Sequence, residues 1–140
     1  MEELEKLRKE IDKLDKMIAE LISKRQGLSN KILEAKGGEY SYDPVRERKV
    51  MKKIFSYDID SKLAERIWRQ IISFNLSKQK KLKIGHLGDD KFSIAAYESY
   101  FGPYFDNRNF KNVTKLMEGI SNKIIDAAII EKSQLALTKI

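Results

Sequence analysis

The first quarter of the chain carries a single apolar rhythm. Leu4, Leu7, Ile11, Leu14, Ile18 and Leu21 step by three and four, the spacing that aligns side chains along one helix face. The next position on this seam is Arg25, after which Leu28, Ile32 and Ala35 resume it and Gly37-Gly38 stops it. The pattern predicts one helix over residues 2–36, about 54 Å long at about 1.5 Å per residue. A helix of that length overruns any core that 140 residues can build by themselves. Its seam therefore predicts packing against a second copy of the chain, with the seam arginine inside for a reason.

Shorter helices follow. Asp43 ahead of Pro44 reads as an N-cap and a first-turn proline, opening a helix over 44–56 with Val50, Met51, Ile54 and Phe55 on its apolar face. A third helix is expected over 61–80, where Ala64, Ile67, Trp68, Ile71 and Ile72 form a stripe that continues into two amides, Asn75 and Gln79. The style changes at Lys80-Lys81. A strand over 82–87, a turn at 88–90, helices over 92–101 and 113–120, and a buried strand over 124–130 give the order β-α-(β)-α-β, the middle strand having no clear signal of its own. Such alternation implies a small α/β lobe with parallel strands. Residues 134–140 show no pattern. The expected fold is mainly α with a small C-terminal α/β lobe. Its two domains are residues 1–81 and 82–140.

Composition narrows the function. The chain has no cysteine and a single histidine, His86, so a thiolate or zinc-type metal site is not expected and no cofactor is implied. No stretch approaches the roughly 20 apolar residues of a membrane span, and the charged N-terminus carries no leader pattern, so a cytoplasmic protein without membrane contact is expected. The net charge is +7. Residues 1–82 hold 20 basic and 14 acidic residues, whereas 83–140 hold 8 and 7, so the basicity belongs to the helices. It could serve nucleic acid, acidic lipid or a small polyanion. No groove-reading motif accompanies it, and nucleic acid is not expected as a partner.

The placement of charges favours the small polyanion. On an ideal helix Arg25 and Lys36 lie about 20° apart in azimuth and about 16 Å apart along the axis. Arg8 lies about 100° and about 25 Å from Arg25, too far for one compact ligand to reach both on the same helix. A crossing partner helix could deliver its own Arg8, which predicts a site shared between two chains and repeated by symmetry. Arg46 and Glu47 fall in the first turn of the second helix, near free amides that favour anions. Asn75 and Gln79 complete an inventory of guanidiniums, an ammonium, a carboxylate and amides. It contains no nucleophile activated by a base, so such a pocket would hold and polarise a dianion.

These residues also carry a resemblance. The run Leu7-Arg8-Lys9-Glu10-Ile11-Asp12 with Leu14-Asp15, Ile18, Leu21 and Arg25 comes first. Glu34-Ala35-Lys36, Tyr42-x-Pro44-x-Arg46-Glu47, Trp68-Arg69-Gln70-Ile71-Ile72 and finally Gln79 follow in order. Together they resemble the all-helical chorismate mutases over about residues 4–80. The resemblance implies an intertwined homodimer of three-helix subunits that converts chorismate to prephenate by a Claisen rearrangement, on the way to phenylalanine and tyrosine. It implies that Arg25 and the partner copy's equivalent of Arg8 bind the two substrate carboxylates. Lys36 and Gln79 would hydrogen-bond the ether oxygen. Glu47 would accept the ring hydroxyl near the Asp43 backbone, Arg46 would line the carboxylate side, and Asn75 would stand where relatives often carry serine.

The later segments Lys83–Phe101 and Asn109–Ser133 are similar to the first lobe of prephenate dehydratases. Asp90-Lys91 replaces that family's Gly-Thr, and Ile130-Glu131-Lys132-Ser133 replaces its Ile-Glu-Asn-Ser. No second lobe follows, so the resemblance implies an incomplete dehydratase site and a lobe acting as a packing module. Two other functions are compatible with the same residues. One is an isochorismate pyruvate lyase on the same scaffold. The other is a non-catalytic, dianion-binding regulatory partner of a shikimate-pathway enzyme.

Overall fold

A computed structural model describes residues 1–38, 43–88 and 91–131. It divides into two compact units, Met1–Tyr40 and Ser41–Ile140. The loop expected at 39–42, part of the turn at 88–90 and the patternless tail lie outside the described residues.

The first unit is one helix, α1, Glu2–Ala35. Glu2, Glu3 and Glu5 crowd its first turn, where the helix dipole favours negative charge. Its end is a Schellman turn: the Gly37 N–H donates to Glu34 O at 2.9 Å and the Gly38 N–H to Leu33 O at 3.0 Å. Both glycines have φ of +76°, a region side-chain-bearing residues rarely enter. The predicted glycine stop is thus a left-handed cap. No residue of α1 is buried. The seam residues Leu4, Leu7, Ile11, Leu14, Ile18, Leu21, Leu28 and Ile32 are each between 45% and 61% exposed.

The second unit opens with α2, Pro44–Ile54, and α3, Ser61–Gln79. Each is capped by an aspartate: Asp43 accepts from the Arg46 N–H and Asp60 from the Leu63 N–H, both at 3.0 Å. Met51 and Ile54 of α2 and Ala64 and Ile72 of α3 are buried. The lobe continues as β1 (Lys83–Leu87), α4 (Lys91–Phe101), a 3-10 turn (Gly102–Tyr104), β2 (Asp106–Phe110), α5 (Val113–Ser121) and β3 (Ala127–Ile129). The strands form a parallel sheet in the order β2-β1-β3, with Gly85 of β1 opposite Arg108 and Ala128. The architecture is mainly α with a small α/β lobe.

Two features depart from the expected pattern. The second strand in chain order, β2, is an edge of the sheet; it reads Asp106-Asn107-Arg108-Asn109-Phe110 and is exposed along nearly all its length. An edge strand need not alternate apolar and polar residues, and its asparagines are poor strand formers. At the other edge, the apolar run 124–130 contributes only Ala127–Ile129 to the sheet. Its first residues instead complete the turn after α5. Lys123 sits at φ of +58°, the Ile124 N–H returns to Gly119 O at 2.9 Å, and Ile125 drops into the core.

Leu82, Ile84, Tyr97, Phe101, Phe105, Leu116 and Ile125 make that core. Gly85 is tightly enclosed by it: a Cβ there would come within 2.5 Å of Ile125 Cδ1 and 2.7 Å of Leu116 Cδ1, so those side chains would have to shift. The lobe also packs on α3. The Ser73 hydroxyl donates to Tyr100 O at 2.8 Å, and Phe74 meets Tyr104 edge to face at 5.5 Å. Near the strand, Lys80 pairs with Asp126 at 3.6 Å while Asp126 accepts from the Lys83 N–H at 2.9 Å. Helices α2 and α3 and the α/β lobe therefore share one unit.

Candidate active site

The expected site residues fall in both units. On α1, Arg8 is exposed and pairs with Glu5 at 3.2 Å, an i,i+3 contact of little energetic worth in water. Arg25 is half-buried, and Lys36 is exposed at the C-cap.

In the second unit the start of α2 places Asp43, Arg46 and Glu47 together. The Asp43 carboxylate is engaged as the N-cap, and its carbonyl accepts the Glu47 N–H at 3.2 Å. Arg46 points to solvent, whereas Glu47 turns inward. Its carboxylate lies 3.4 Å from Arg69 of α3, both side chains only about a tenth exposed (12% and 10%). Burying either charge alone would cost several kcal/mol, on the order of 3–5 when one partner of a buried pair is removed. Each group therefore justifies the other's position. The Arg69 guanidinium carbon also lies 4.6 Å from the centroid of the Tyr100 ring on α4, within cation–π range.

Asn75 and Gln79 sit one turn apart near the end of α3, on faces about 40° apart in azimuth. Asn75 is buried, and its Nδ2 has no hydrogen-bond partner among the described residues. An unsatisfied buried donor costs about 1–3 kcal/mol, which is tolerable where a ligand supplies the acceptor. Gln79 is half-buried as the last residue of α3.

Arg69 escaped the sequence reading. It stands about 100° around α3 from Trp68, off the apolar stripe, and reads as a solvent-facing charge. The signal that could have found it is the pair Arg69 and Ser73, four residues apart, which form a second, polar buried face of α3. Among the described residues no group of three or more His, Cys, Asp or Glu could hold a metal ion. No helix among them is long and apolar enough to cross a membrane.

Within the second unit α2 and α3 thus hold a buried carboxylate–arginine pair and two amides, whereas the cations of α1 belong to the first unit. The chain belongs to the chorismate mutase type II family, whose model matches residues 7–80. A bifunctional chorismate mutase/prephenate dehydratase of Aquifex aeolicus is 35% identical over 112 residues, covering 73% of this chain and 31% of the relative. The proteins of the same description from Pseudomonas aeruginosa and Stutzerimonas stutzeri are 33% and 31% identical, each covered over 31% of its length. The chain thus spans about a third of these relatives. The matched share of the chain exceeds what residues 1–80 can supply, so the likeness runs on into the α/β lobe. No solved structure matches.

Proposed function

We propose that the chain is a chorismate mutase, a cytoplasmic enzyme of aromatic amino-acid biosynthesis that rearranges chorismate to prephenate as an intertwined homodimer. The observation that carries this reading is the family match, which covers nearly all of α1, α2 and α3 and every proposed site residue. The mutase domain is residues 1–81, followed by the dehydratase-like segment 82–140. The dimer is supported by the exposed seam of α1, which in water leaves eight large aliphatic side chains about half uncovered. A contiguous apolar face of this kind marks a partner surface.

The rearrangement is pericyclic. The ether C–O bond breaks as a C–C bond forms within one molecule, so neither acid, base nor covalent intermediate is needed. The task is to hold the enol-pyruvyl ether in a compact chair and to stabilise charge where it grows. In this reading Arg25 of one protomer and Arg8 of its partner fix the two carboxylates, with Arg46 lining that side. Lys36 and Gln79 donate to the ether oxygen, on which negative charge develops. Glu47 accepts the ring hydroxyl close to the Asp43 backbone. The unmatched Asn75 amide gives the substrate one further donor.

Loss of chorismate with matching formation of prephenate, followed by absorbance and product chromatography, tests the proposal. Stoichiometric prephenate is expected. Pyruvate released from isochorismate would instead identify the lyase. Chorismate binding without turnover would leave the regulatory role, and either outcome would overturn the mutase reading.

A further inference from the structure

We propose that Arg69 is a positioning residue for Glu47 and that Tyr100 of the α/β lobe holds it in place. The inference rests on the mutase reading above and adds a role for the lobe: it completes the scaffold that holds the Glu47 carboxylate.

The chain of contacts is short and lies within one compact unit. Glu47 stands on α2, Arg69 on α3 and Tyr100 on α4. Arg69 is 9% exposed, so its charge needs compensation from both sides. The Glu47 carboxylate meets it at 3.4 Å on one side. The Tyr100 ring meets it at 4.6 Å on the other. A distance of 3.4 Å is longer than the roughly 2.7–2.9 Å of a tight charge-assisted hydrogen bond. The pair is a long hydrogen bond between opposite charges that orients one oxygen of the carboxylate. Tyr100 is itself fixed. Its carbonyl accepts the Ser73 hydroxyl at 2.8 Å, and its ring packs edge-on against Phe101 at 4.7 Å, which is part of the lobe core.

Two consequences follow for a group that acts through Glu47. The guanidinium sets an opposite charge beside the buried carboxylate, offsetting part of the cost of holding it inside. The planar fork and the stacked ring also fix where that carboxylate points, which an ammonium could not do equally well. Loss of Arg69 should weaken recognition of the ring hydroxyl far more than it slows the bond rearrangement.

The test uses the full chain. Kinetics are measured for wild type, Arg69→Gln, Arg69→Lys, Tyr100→Leu and Tyr100→Phe, on chorismate and on an analogue whose ring hydroxyl is replaced by hydrogen. Arg69→Gln is expected to raise KM for chorismate about tenfold with kcat little changed, the magnitude of one lost hydrogen bond to a charged group. Arg69→Lys should fall between wild type and Arg69→Gln. Tyr100→Leu should raise KM a few-fold, and Tyr100→Phe, which keeps the ring, should restore it. On the deoxy analogue the variants should match wild type, since no hydroxyl remains for Glu47 to accept. An unchanged KM, or an equal loss on both substrates, overturns the proposal. Should Arg69→Gln fail to fold, the Tyr100→Leu and Tyr100→Phe pair decides by the same criteria. A wild-type chain inactive on chorismate overturns the mutase reading and this inference with it. An active wild type with unaffected variants overturns this inference alone.

Discussion

The two units of this chain solve the same problem in opposite ways. The unit spanning Ser41–Ile140 buries its own large side chains: Leu82, Ile84 and Leu116 are fully enclosed within it. Helix α1 has 34 residues and buries none. Its aliphatic content is no poorer, and its spacing is the more regular of the two. The difference lies in where the covering surface comes from. A helix–sheet lobe supplies it from neighbouring elements of the same chain. A lone amphipathic helix must find it on another surface. Regular patterning therefore reports that a face will be covered, without saying by what.

The largest effect that would break this contrast is a charge on the α1 seam. Ile18 lies between Leu14 and Leu21 and is 54% exposed. In the proposed dimer, Ile18→Asp places an unpaired carboxylate in an apolar interface at a cost of several kcal/mol, about 3–5 by comparison with broken buried pairs. Sedimentation velocity should show a monomer, and mutase activity should be lost with the shared site. A variant that stays dimeric would show that the seam is not the interface.

Next in size is a pair of leucine truncations, one in each unit. Leu116 has no exposed surface, and Leu116→Ala should destabilise the lobe by about 2–5 kcal/mol through lost burial and a residual cavity. Urea melts followed by circular dichroism would measure it. Leu14→Ala should instead raise the dimer dissociation constant, so that stability becomes more dependent on protein concentration. If both variants shifted the dissociation constant equally, the two units would not differ in the proposed way.

Removing the ammonium at the end of α1 tests function separately from packing. Lys36 is the exposed C-cap of that helix, so Lys36→Ala should leave stability nearly unchanged. By analogy with oxyanion-hole donors, kcat/KM should fall on the order of 100-fold or more. Near-normal turnover would eliminate Lys36 as the ether-oxygen donor.

The sequence made the helices legible because their start and stop chemistry is local. Asp43-Pro44 and Gly37-Gly38 each act within a few residues, and α1, α2 and α3 end within two residues of the expected limits. The strands were harder. β2 is held by its register with β1, a long-range constraint that no window over Asp106–Phe110 contains. Residues 124–130 read as one strand because turn and strand there are equally apolar. In the site, Glu47 was found as a candidate but its buried partner Arg69 was not. Their pairing joins residues 22 positions apart, and an arginine is ordinarily an exposed residue. Asn75 was visible as the polar continuation of an apolar stripe. The burial of its amide required the tertiary structure.

The smallest effect belongs to the second unit alone, since α1 contains no tyrosine. The Tyr97 hydroxyl donates to Phe105 O at 2.7 Å. Burial, reinforced by the negative charges of Asp106 and Glu98, raises its pKa above the ordinary 10.0. Above pH 10.0 the unfolded chain releases the phenolic proton while the folded lobe still holds it. The unfolded state then binds fewer protons, and stability falls as pH rises. The contribution is therefore complete below pH 10.0 and is lost as pH climbs through the raised folded value. Tyr97→Phe removes both the hydrogen bond and the titration. Near neutrality it should cost about 1 kcal/mol. The gap to wild type should narrow in urea melts repeated at pH above 10.0, because only the wild type loses the Tyr97 contribution there. A gap that stays constant or widens with pH would mean that the Tyr97 hydroxyl is not held in the lobe core, and the second unit would then be less closed than its contrast with α1 requires.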